Sequence, residues 1–211
     1  MLTGVIFDCD GVLVDSEPLA EEAWAHVLST HGATMTTDDV RAVAGTSSTD
    51  TYDYFARSTN LPPYSEVASA VDAYLLPALA DRLEPFADAV ATVRALAAEG
   101  VPLAVASSSN RRELDMKLAK FDLARHFDYV IAGDEVAFGK PAPDLYVGAA
   151  SGLGVDPRSC LAVEDSVHGA KAAHAAGMRV VLIDRVGIIP ADWSTVSSID
   201  PELIKTWLGP A

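Results

Sequence analysis

The chain is poor in basic residues and in long apolar runs. Among its 211 residues, 15 lysines and arginines stand against 30 aspartates and glutamates, a formal net charge of −15. Nucleic acids and anionic membranes are bound through clustered lysine and arginine, so neither is an expected partner. No apolar run reaches the roughly 18 residues that cross a bilayer. Half of the residues are nonetheless hydrophobic, which is enough for a sizeable core.

Cysteines and targeting signals are scarce as well. Cys9 and Cys160 lie far apart in apolar stretches, which is typical of buried thiols rather than of a disulfide framework. The apolar start, residues 1–7, is too short for a signal peptide, and no Asn-x-Ser/Thr glycosylation site occurs. The length favours one or two domains. We therefore expect a cytoplasmic protein.

Short apolar runs alternate with helical patterns in the second half of the chain. The predicted strands are Leu2–Phe7, Val101–Ala106, Phe127–Ala132, Cys160–Val163 and Arg179–Ile183. The predicted helices between them are Phe86–Glu99, Asn110–Phe121, Asp144–Ser151 and Val167–Ala176. This alternation predicts an α/β fold with a Rossmann-like, doubly wound parallel sheet covered on both faces.

The segment between the first two strands does not follow that alternation. It carries helical patterns only, at Ser16–His31, Asp38–Val43, Ser48–Phe55 and Glu66–Ala80. About 70 residues are far too many for a loop. We therefore expect an α-helical cap domain at residues 16–84, inserted into a core made of residues 1–15 and 85–211.

Two aspartates follow the first predicted strand, in Asp8-Cys9-Asp10-Gly11. Strand periodicity places Asp8 and Asp10 on one face, and ligands of open parallel sheets bind at the carboxyl ends of the strands. Two close carboxylates require a cation or a shared proton, and Mg²⁺ suits them. A calcium loop is disfavoured because its final glutamate would fall at Leu19. A turn of acidic residues that caps the next helix is an equally good interpretation of this motif alone.

Polar residues also follow the later strands. They are Ser107-Ser108-Ser109-Asn110, Gly139-Lys140-Pro141 and Glu164-Asp165-Ser166. Each has an ordinary structural interpretation: a helix N-cap, a solvated surface lysine, and acids that complement a helix dipole. Their order, with acids, hydroxyls, a lysine and acids at successive strand ends, is much more specific than any one of them.

Together these motifs resemble the haloacid dehalogenase (HAD) superfamily, in the subgroup that has a helical cap after the first strand. The resemblance rests on Val5–Glu17, Ala104–Asn110, Gly139–Tyr146 and Ala162–Gly169. It implies a phosphomonoester hydrolase in which Asp8 is the nucleophile and Asp10 the general acid/base, with a pKa above that of Asp8. It implies that phosphate is bound by Ser107, Ser108 and Lys140. It implies Mg²⁺ ligands at Asp8, the Asp10 carbonyl and Asp165, with Glu164 supporting or joining them.

Differences between this chain and related enzymes reduce the number of reactions that we expect it to catalyse. Asp10 argues against a dehalogenase, which needs no acid for its leaving halide. A phosphonate-cleaving relative uses a cap lysine to form a Schiff base, and this chain has no lysine before Lys117. A β-phosphoglucomutase-like mutase remains an alternative. It resembles this chain but uses a cap histidine where residues 19–21 are Leu-Ala-Glu, and an arginine after the cap glycine. Here Gly45 is followed by Thr46-Ser47-Ser48.

The charge of the cap indicates the kind of substrate. Residues 16–84 contain eleven acidic and three basic residues. Such a cap attracts a second anionic group poorly, so we expect a sugar or polyol monophosphate. Gly45, Thr46 and Ser47 would contact it, unless they form only a turn and an N-cap.

The expected partner is this small phosphorylated metabolite, bound by a monomer or a weak dimer. A phospho-accepting signalling module is the alternative of another class. It needs neither the second aspartate nor the helical insertion.

Overall fold

One parallel sheet organises the fold in a computed structural model, which describes residues 2–185, 187 and 189–208. Its strands are β1 (Gly4–Phe7), β2 (Leu103–Ala106), β3 (Tyr129–Ile131), β4 (Cys160–Glu164), β5 (Arg179–Ile183) and β6 (Thr195–Val196). They lie in the order β3-β2-β1-β4-β5-β6, and each pairing is parallel. This arrangement confirms the predicted fold class. It also sets β1 beside β4 at the point where the winding reverses, which is where such sheets bind ligands.

Helices cover the sheet and form the insertion. Within the described residues they are α1 (Glu17–Thr30), α2 (Thr37–Val43), α3 (Ser48–Ala56), α4 (Tyr64–Arg82), α5 (Ala87–Ala98), α6 (Arg111–Lys120), α7 (Asp144–Leu153), α8 (Val167–Ala175) and α9 (Pro201–Leu208). The inserted helical cap comprises α1 to α4, as the sequence predicts. Its exact limits, at residues 16 and 84, remain a prediction.

The strands next to the site are buried along their whole length. All residues of β1, β2 and β4 are buried, because helices lie against both faces. Phe7 packs into the core on one face, and Ile6 packs with Leu145 and Tyr146 on the other. Continuous burial explains why these strands appear in the sequence as unbroken apolar runs.

The last helix and the last strand differ in how far the sequence predicts them. The spacing of Leu203, Ile204, Trp207 and Leu208 predicts a C-terminal helix, and these residues lie on α9. Strand β6 has two residues and no apolar run, so no pattern in the sequence predicts it. It pairs with β5, where Leu182 lies opposite Thr195.

The cap is held together by the apolar faces of α1 and α4. The helical spacing of Leu19, Ala23, Val27 and Leu28 predicts one apolar face on α1, and this face is buried. Trp24 is also buried and stacks on Phe55, with 6.4 Å between ring centroids. Tyr74, however, does not lie on the buried face of α4 that the helical spacing predicts for it. It is exposed and stacks on His26 at 4.8 Å, because an aromatic ring at the edge of a helix face finds a partner on its neighbour.

The loop before α3 lies directly on the core. Ser108 donates a hydrogen bond to the Gly45 carbonyl at 3.1 Å, and His168 Nδ1 lies 3.1 Å from the Ala44 carbonyl. Gly45 has a φ of +72°, and a Cβ there would lie 2.2 Å from Ser166 Oγ. Glycine is therefore required for both the backbone conformation and the close approach.

Among the residues that the structure describes, no helix is long and apolar enough to cross a membrane.

Candidate active site

The polar residues predicted at the strand ends meet at one edge of the sheet. Asp8 directly follows β1, Ser107 follows β2, and Glu164 is the last residue of β4. Lys140, from the loop between β3 and α7, reaches Asp8 and Glu164 at 3.0 and 2.6 Å. The sheet topology thus brings together groups that are up to about 150 residues apart in the sequence.

Asp8 is a buried carboxylate with too little positive charge around it. It is 4% exposed, and its Oδ1 forms the ion pair with Lys140 but has no hydrogen-bond partner of good geometry within the described part of the chain. Burial raises the pKa of Asp8 to about 8 against the opposing effect of Lys140, and Glu164 adds to the increase. A further cation would stabilise the ionised form.

Glu164 is fully buried, and both of its oxygens are occupied by protein groups. Oε1 accepts hydrogen bonds from Lys140 at 2.6 Å and from the Tyr146 hydroxyl at 2.7 Å. Oε2 accepts from the backbone N–H groups of Asp165 and Ser166 and from the Ser166 hydroxyl, at 3.0 to 3.1 Å. This favours the supporting role for Glu164 over direct ligation. Tyr146 was not predicted as a site residue, because it lies on α7, whose apolar pattern is typical of a helix that packs in the core.

The residues near Asp8 fit a divalent cation. Carboxylate oxygens of Asp8, Glu164 and Asp165 lie within 4.8 Å of one another. Burial, Glu164 and Asp8 raise the pKa of Asp165 well above its ordinary value. A Cβ on Gly11 would lie 1.6 Å from Asp165 Oδ2, so this glycine makes room for the carboxylate. Clustered hard oxygens with excess negative charge are what Mg²⁺ binds.

Asp10 has the opposite surroundings. Ser16 and Lys117 donate to its Oδ1, and Ser109 donates to Oδ2 at 2.9 Å. Burial by itself would raise the pKa of Asp10, but Lys117 and the hydroxyls outweigh it, and the pKa lies below its ordinary value. The expectation that Asp10 has the higher pKa of the two aspartates is wrong for this arrangement. The physical reason is Lys117, a buried ammonium that was not predicted to belong to the site.

The serines after β2 have more than one role. Ser107 is fully buried, and its hydroxyl accepts from the Ser109 N–H at 3.1 Å and lies 3.4 Å from Asp10 Oδ2. Ser108 lines the cavity but uses its hydroxyl to contact the cap loop. Asn110 caps α6 by accepting from the Glu113 N–H at 2.9 Å. The spacing of Asn110 and Glu113 is that of a capping box, but the Glu113 side chain contacts Ser109 and Lys117 and does not complete it.

The three predicted cap residues divide between the cavity and local structure. Gly45 and Thr46 line the same cavity as Asp8 and Asp10. The Thr46 hydroxyl donates to the Val43 carbonyl at 2.7 Å. Ser47 does not line that cavity. It is the N-cap of α3 and hydrogen-bonds to Asp50, which is the alternative that the sequence left open.

The cavity between cap and core encloses about 100 Å³. The cap contributes apolar side chains, among them Trp24 and Leu75, and three carboxylates: Glu17, Glu21 and Asp72. Burial raises the pKa of Glu17 to about 7, and the charge of Asp10 adds to the shift. These acids were not predicted individually. Their signal in the sequence was only the acidic composition of the cap.

Comparison with known proteins gives consistent matches over most of the chain. A family model of haloacid dehalogenase-like hydrolases matches residues 2–177. Hexitol phosphatase B of Escherichia coli (strain K12) is 34% identical over 186 residues, which cover 86% of this chain and 83% of that protein. Fructose-1-phosphate phosphatase YqaB of the same organism is 33% identical over 186 residues, with coverage of 84% and 94%.

A solved structure has the same fold. CbbY from Rhodobacter sphaeroides, crystallised in complex with phosphate, matches with a TM-score of 0.81. The match covers 94% of this chain and 95% of that chain, at 24% sequence identity. A likeness at that identity supports the architecture, including the helical insertion, and carries no conclusion about the substrate.

Proposed function

Since the chain belongs to the haloacid dehalogenase-like hydrolase family and is a phosphomonoester hydrolase, we propose that it is a Mg²⁺-dependent phosphatase acting through an aspartyl-phosphate on Asp8. The observation that carries the proposal is the cluster of Asp8, Glu164 and the half-buried Asp165, for which Lys140 is the balancing cation among the residues that the structure describes. The second aspartate, Asp10, lines the same cavity as Asp8.

The first chemical step forms the covalent intermediate. An oxygen of Asp8 attacks phosphorus, the bond from phosphorus to the leaving oxygen breaks, and Asp10 transfers a proton to that oxygen. Lys140 stabilises Asp8 and the phosphoryl group, together with the backbone and hydroxyl groups at Ser107. Mg²⁺, held by Asp8, Asp165 and the Asp10 carbonyl with Glu164 in support, would offset negative charge on the phosphoryl oxygens when bound.

The second step restores the enzyme. Water attacks phosphorus, Asp10 accepts the proton of that water, and the bond from phosphorus to the Asp8 oxygen breaks. Inorganic phosphate leaves, and both aspartates return to their starting states. In the arrangement described here, without a phosphate, the pKa of Asp10 is low, which favours the carboxylate form that this step requires. The first step requires the protonated form, which the negative charge of a bound phosphate monoester beside Asp10 would favour.

The substrate is a monophosphate with a neutral, hydroxyl-rich body. Of the residues that line the cavity, the cap provides the carboxylates Glu17, Glu21 and Asp72 and the hydroxyls Ser16, Thr46, Ser48 and Thr51. Carboxylates and hydroxyls accept hydrogen bonds from sugar hydroxyls, and the carboxylates also repel a second phosphate. Hexitol phosphatase B and fructose-1-phosphate phosphatase, both similar to this chain, are named for substrates of this class.

Phosphate release from a panel of sugar, polyol and glycolytic phosphates tests the proposal. We expect release that requires Mg²⁺, stops with EDTA and is lost in Asp8→Asn, with polyol or sugar monophosphates ranked above bisphosphates. Asp15→Asn is the matched control, since Asp15 is exposed and lies outside the cavity. Isomerisation of a hexose 1-phosphate after a bisphosphate primer is added, with no release, would replace this proposal with the mutase.

A further inference from the structure

Lys117 is a buried ammonium for which the proposed reaction has so far no use. It lies on α6 and is 1% exposed. Apolar residues of the same helix, Leu114 and Leu118, are buried beside it in the core. Desolvating an ammonium is costly, and a lysine at a core position needs a compensating reason to be there. Lys140, the other buried lysine among the described residues, already serves the nucleophile.

The contacts of Lys117 use its full donor capacity. Nζ contacts Asp10 Oδ1, lies 2.9 Å from Ser109 Oγ and lies 2.5 Å from Glu113 Oε1. An ammonium has three N–H groups, and here three acceptors are arranged around it. The position of the nitrogen is therefore fixed from three directions. Because Glu113 and Ser109 belong to α6 and its N-terminal turn, this fixed point is attached to the core and not to the cap.

The same contacts determine how Asp10 is oriented. Lys117 and Ser16 both donate to Oδ1, whereas Oδ2 meets the hydroxyls of Ser107 and Ser109. Ser16 precedes the first cap helix, so its hydrogen bond depends on the cap position, while that of Lys117 does not. Oδ1 is thereby anchored by an ammonium. Oδ2 is held by hydroxyls alone, which can give up their hydrogen bonds, so it is the oxygen that exchanges a proton with the leaving group or with water.

We propose that Lys117, held by Glu113, is a positioning residue that anchors Asp10 for proton transfer. The proposal rests on the proposed function, because it assigns a partner to the general acid/base of that reaction. Lys117 contacts Asp10, whereas the nucleophile Asp8 is paired with Lys140. Removal of Lys117 is therefore expected to impair the proton transfers and to leave the attack of Asp8 on phosphorus intact.

Leaving-group dependence separates these two effects. 2,4-Dinitrophenolate leaves without protonation, whereas the alkoxide of a polyol phosphate needs a proton from Asp10. In Lys117→Met we expect turnover of the polyol phosphate to fall about 100-fold, the loss typical of impaired general acid catalysis. The first turnover of 2,4-dinitrophenyl phosphate should stay close to wild type. Later turnovers should slow about 100-fold, because hydrolysis of the aspartyl-phosphate still needs Asp10 as a base.

Two further variants keep the test decisive. Glu113→Gln keeps the packing and removes one charge from the cluster. It should show the same selective pattern with a smaller loss, which covers the case in which Lys117→Met does not fold. Lys120→Met is the matched control on the same helix, since Lys120 donates to the carbonyls of Leu79 and Ala80. Lys120→Met should leave the turnover of both substrates unchanged. Melting temperatures of all three variants establish that they are folded.

Equal losses on both substrates, first turnover included, would overturn the positioning role in favour of a structural one, and so would unchanged activity in folded Lys117→Met and Glu113→Gln. A wild-type protein that turns over neither substrate would instead overturn the proposed phosphatase, and the role of Lys117 with it.

Discussion

The two aspartates of the first motif differ in what surrounds their carboxylates. Asp8 shares one lysine with Glu164 and lies close to Asp165, so negative charge is in excess. Asp10 accepts hydrogen bonds from Lys117 and from the hydroxyls of Ser16 and Ser109. The pKa of Asp8 is raised and that of Asp10 is lowered. Although the two aspartates are two residues apart, Asp8 therefore lies where a further cation is needed, whereas the charge of Asp10 is already neutralised by its neighbours.

Loss of Lys140 should have the largest effect, because it removes the ammonium that pairs with both Asp8 and Glu164. In Lys140→Met we expect turnover to fall by at least about 10³-fold. The free energy of unfolding should fall by about 3 kcal/mol, since a buried carboxylate pair loses its partner. Assays of phosphate release and chemical unfolding in EDTA measure both. Lys171→Met, at an exposed lysine of α8, is the control and should change neither. A Lys140→Met protein of full stability would mean that Lys140 does not neutralise this cluster.

The pH dependence of stability should reveal the cation deficit. The pKa of Asp8 is raised from its ordinary value of 3.8 to about 8, so the folded protein binds a proton that the unfolded chain releases between these values. Without Mg²⁺ the free energy of unfolding should therefore fall as the pH rises from about 4 to about 8. One such group contributes a slope of about 1.4 kcal/mol per pH unit.

Chemical unfolding in EDTA at pH 5.5 and pH 8 measures this slope. Asp8→Asn is the control and should reduce the slope by about 1.4 kcal/mol per pH unit, because the amide does not titrate. Glu17 and Asp165, whose pKa values are also raised, continue to contribute to it. Mg²⁺ should stabilise the wild type more at pH 8, where fewer protons compete for the carboxylates. Stability that rises over this range in EDTA would contradict a cation-deficient site.

A smaller effect is expected at the cap. Asp72→Asn removes a charge from the cavity wall but keeps a hydrogen-bonding group. We expect kcat/KM for a polyol phosphate to fall about three- to tenfold, because the hydrogen bond is kept and only the additional strength of a charged acceptor, about 1 kcal/mol, is lost. Discrimination against bisphosphates should weaken at the same time. Asp53→Asn is the control, on an exposed position of α3 outside the cavity. An unchanged ranking of substrates in Asp72→Asn would remove this residue from substrate recognition.

The sequence predicts those site residues that lie beside a recognisable local pattern. Asp8, Lys140 and Asp165 stand next to apolar runs or proline, so their place at the sheet edge is visible from local pattern and topology. Lys117 and Tyr146 are in the middle of helices, where a single sequence does not show which face meets the site. The one local hint was the Glu113–Lys117 pair, at a spacing of four and in line with the buried leucines of α6.

Hydroxyl groups were the hardest to assign. Ser108 and Ser47 are of a residue type that is common in loops that bind phosphate or substrate. In the structure, Ser108 hydrogen-bonds to the cap loop and Ser47 caps the N-terminus of α3. A serine satisfies a helix N-cap, a carbonyl or a ligand with the same atom, so residue type does not separate these roles. Only the packing of the cap on the core decides between them.

The most direct test is peptide mass spectrometry of the protein quenched in acid during turnover of 2,4-dinitrophenyl phosphate with Mg²⁺. We expect the mass of one phosphoryl group on the peptide that contains Asp8, larger in amount for Lys117→Met and absent for Asp8→Asn. Turnover without a phosphoryl group on Asp8 in any variant, or turnover that persists in Asp8→Asn, would contradict the aspartyl-phosphate mechanism and the division of roles between the two aspartates.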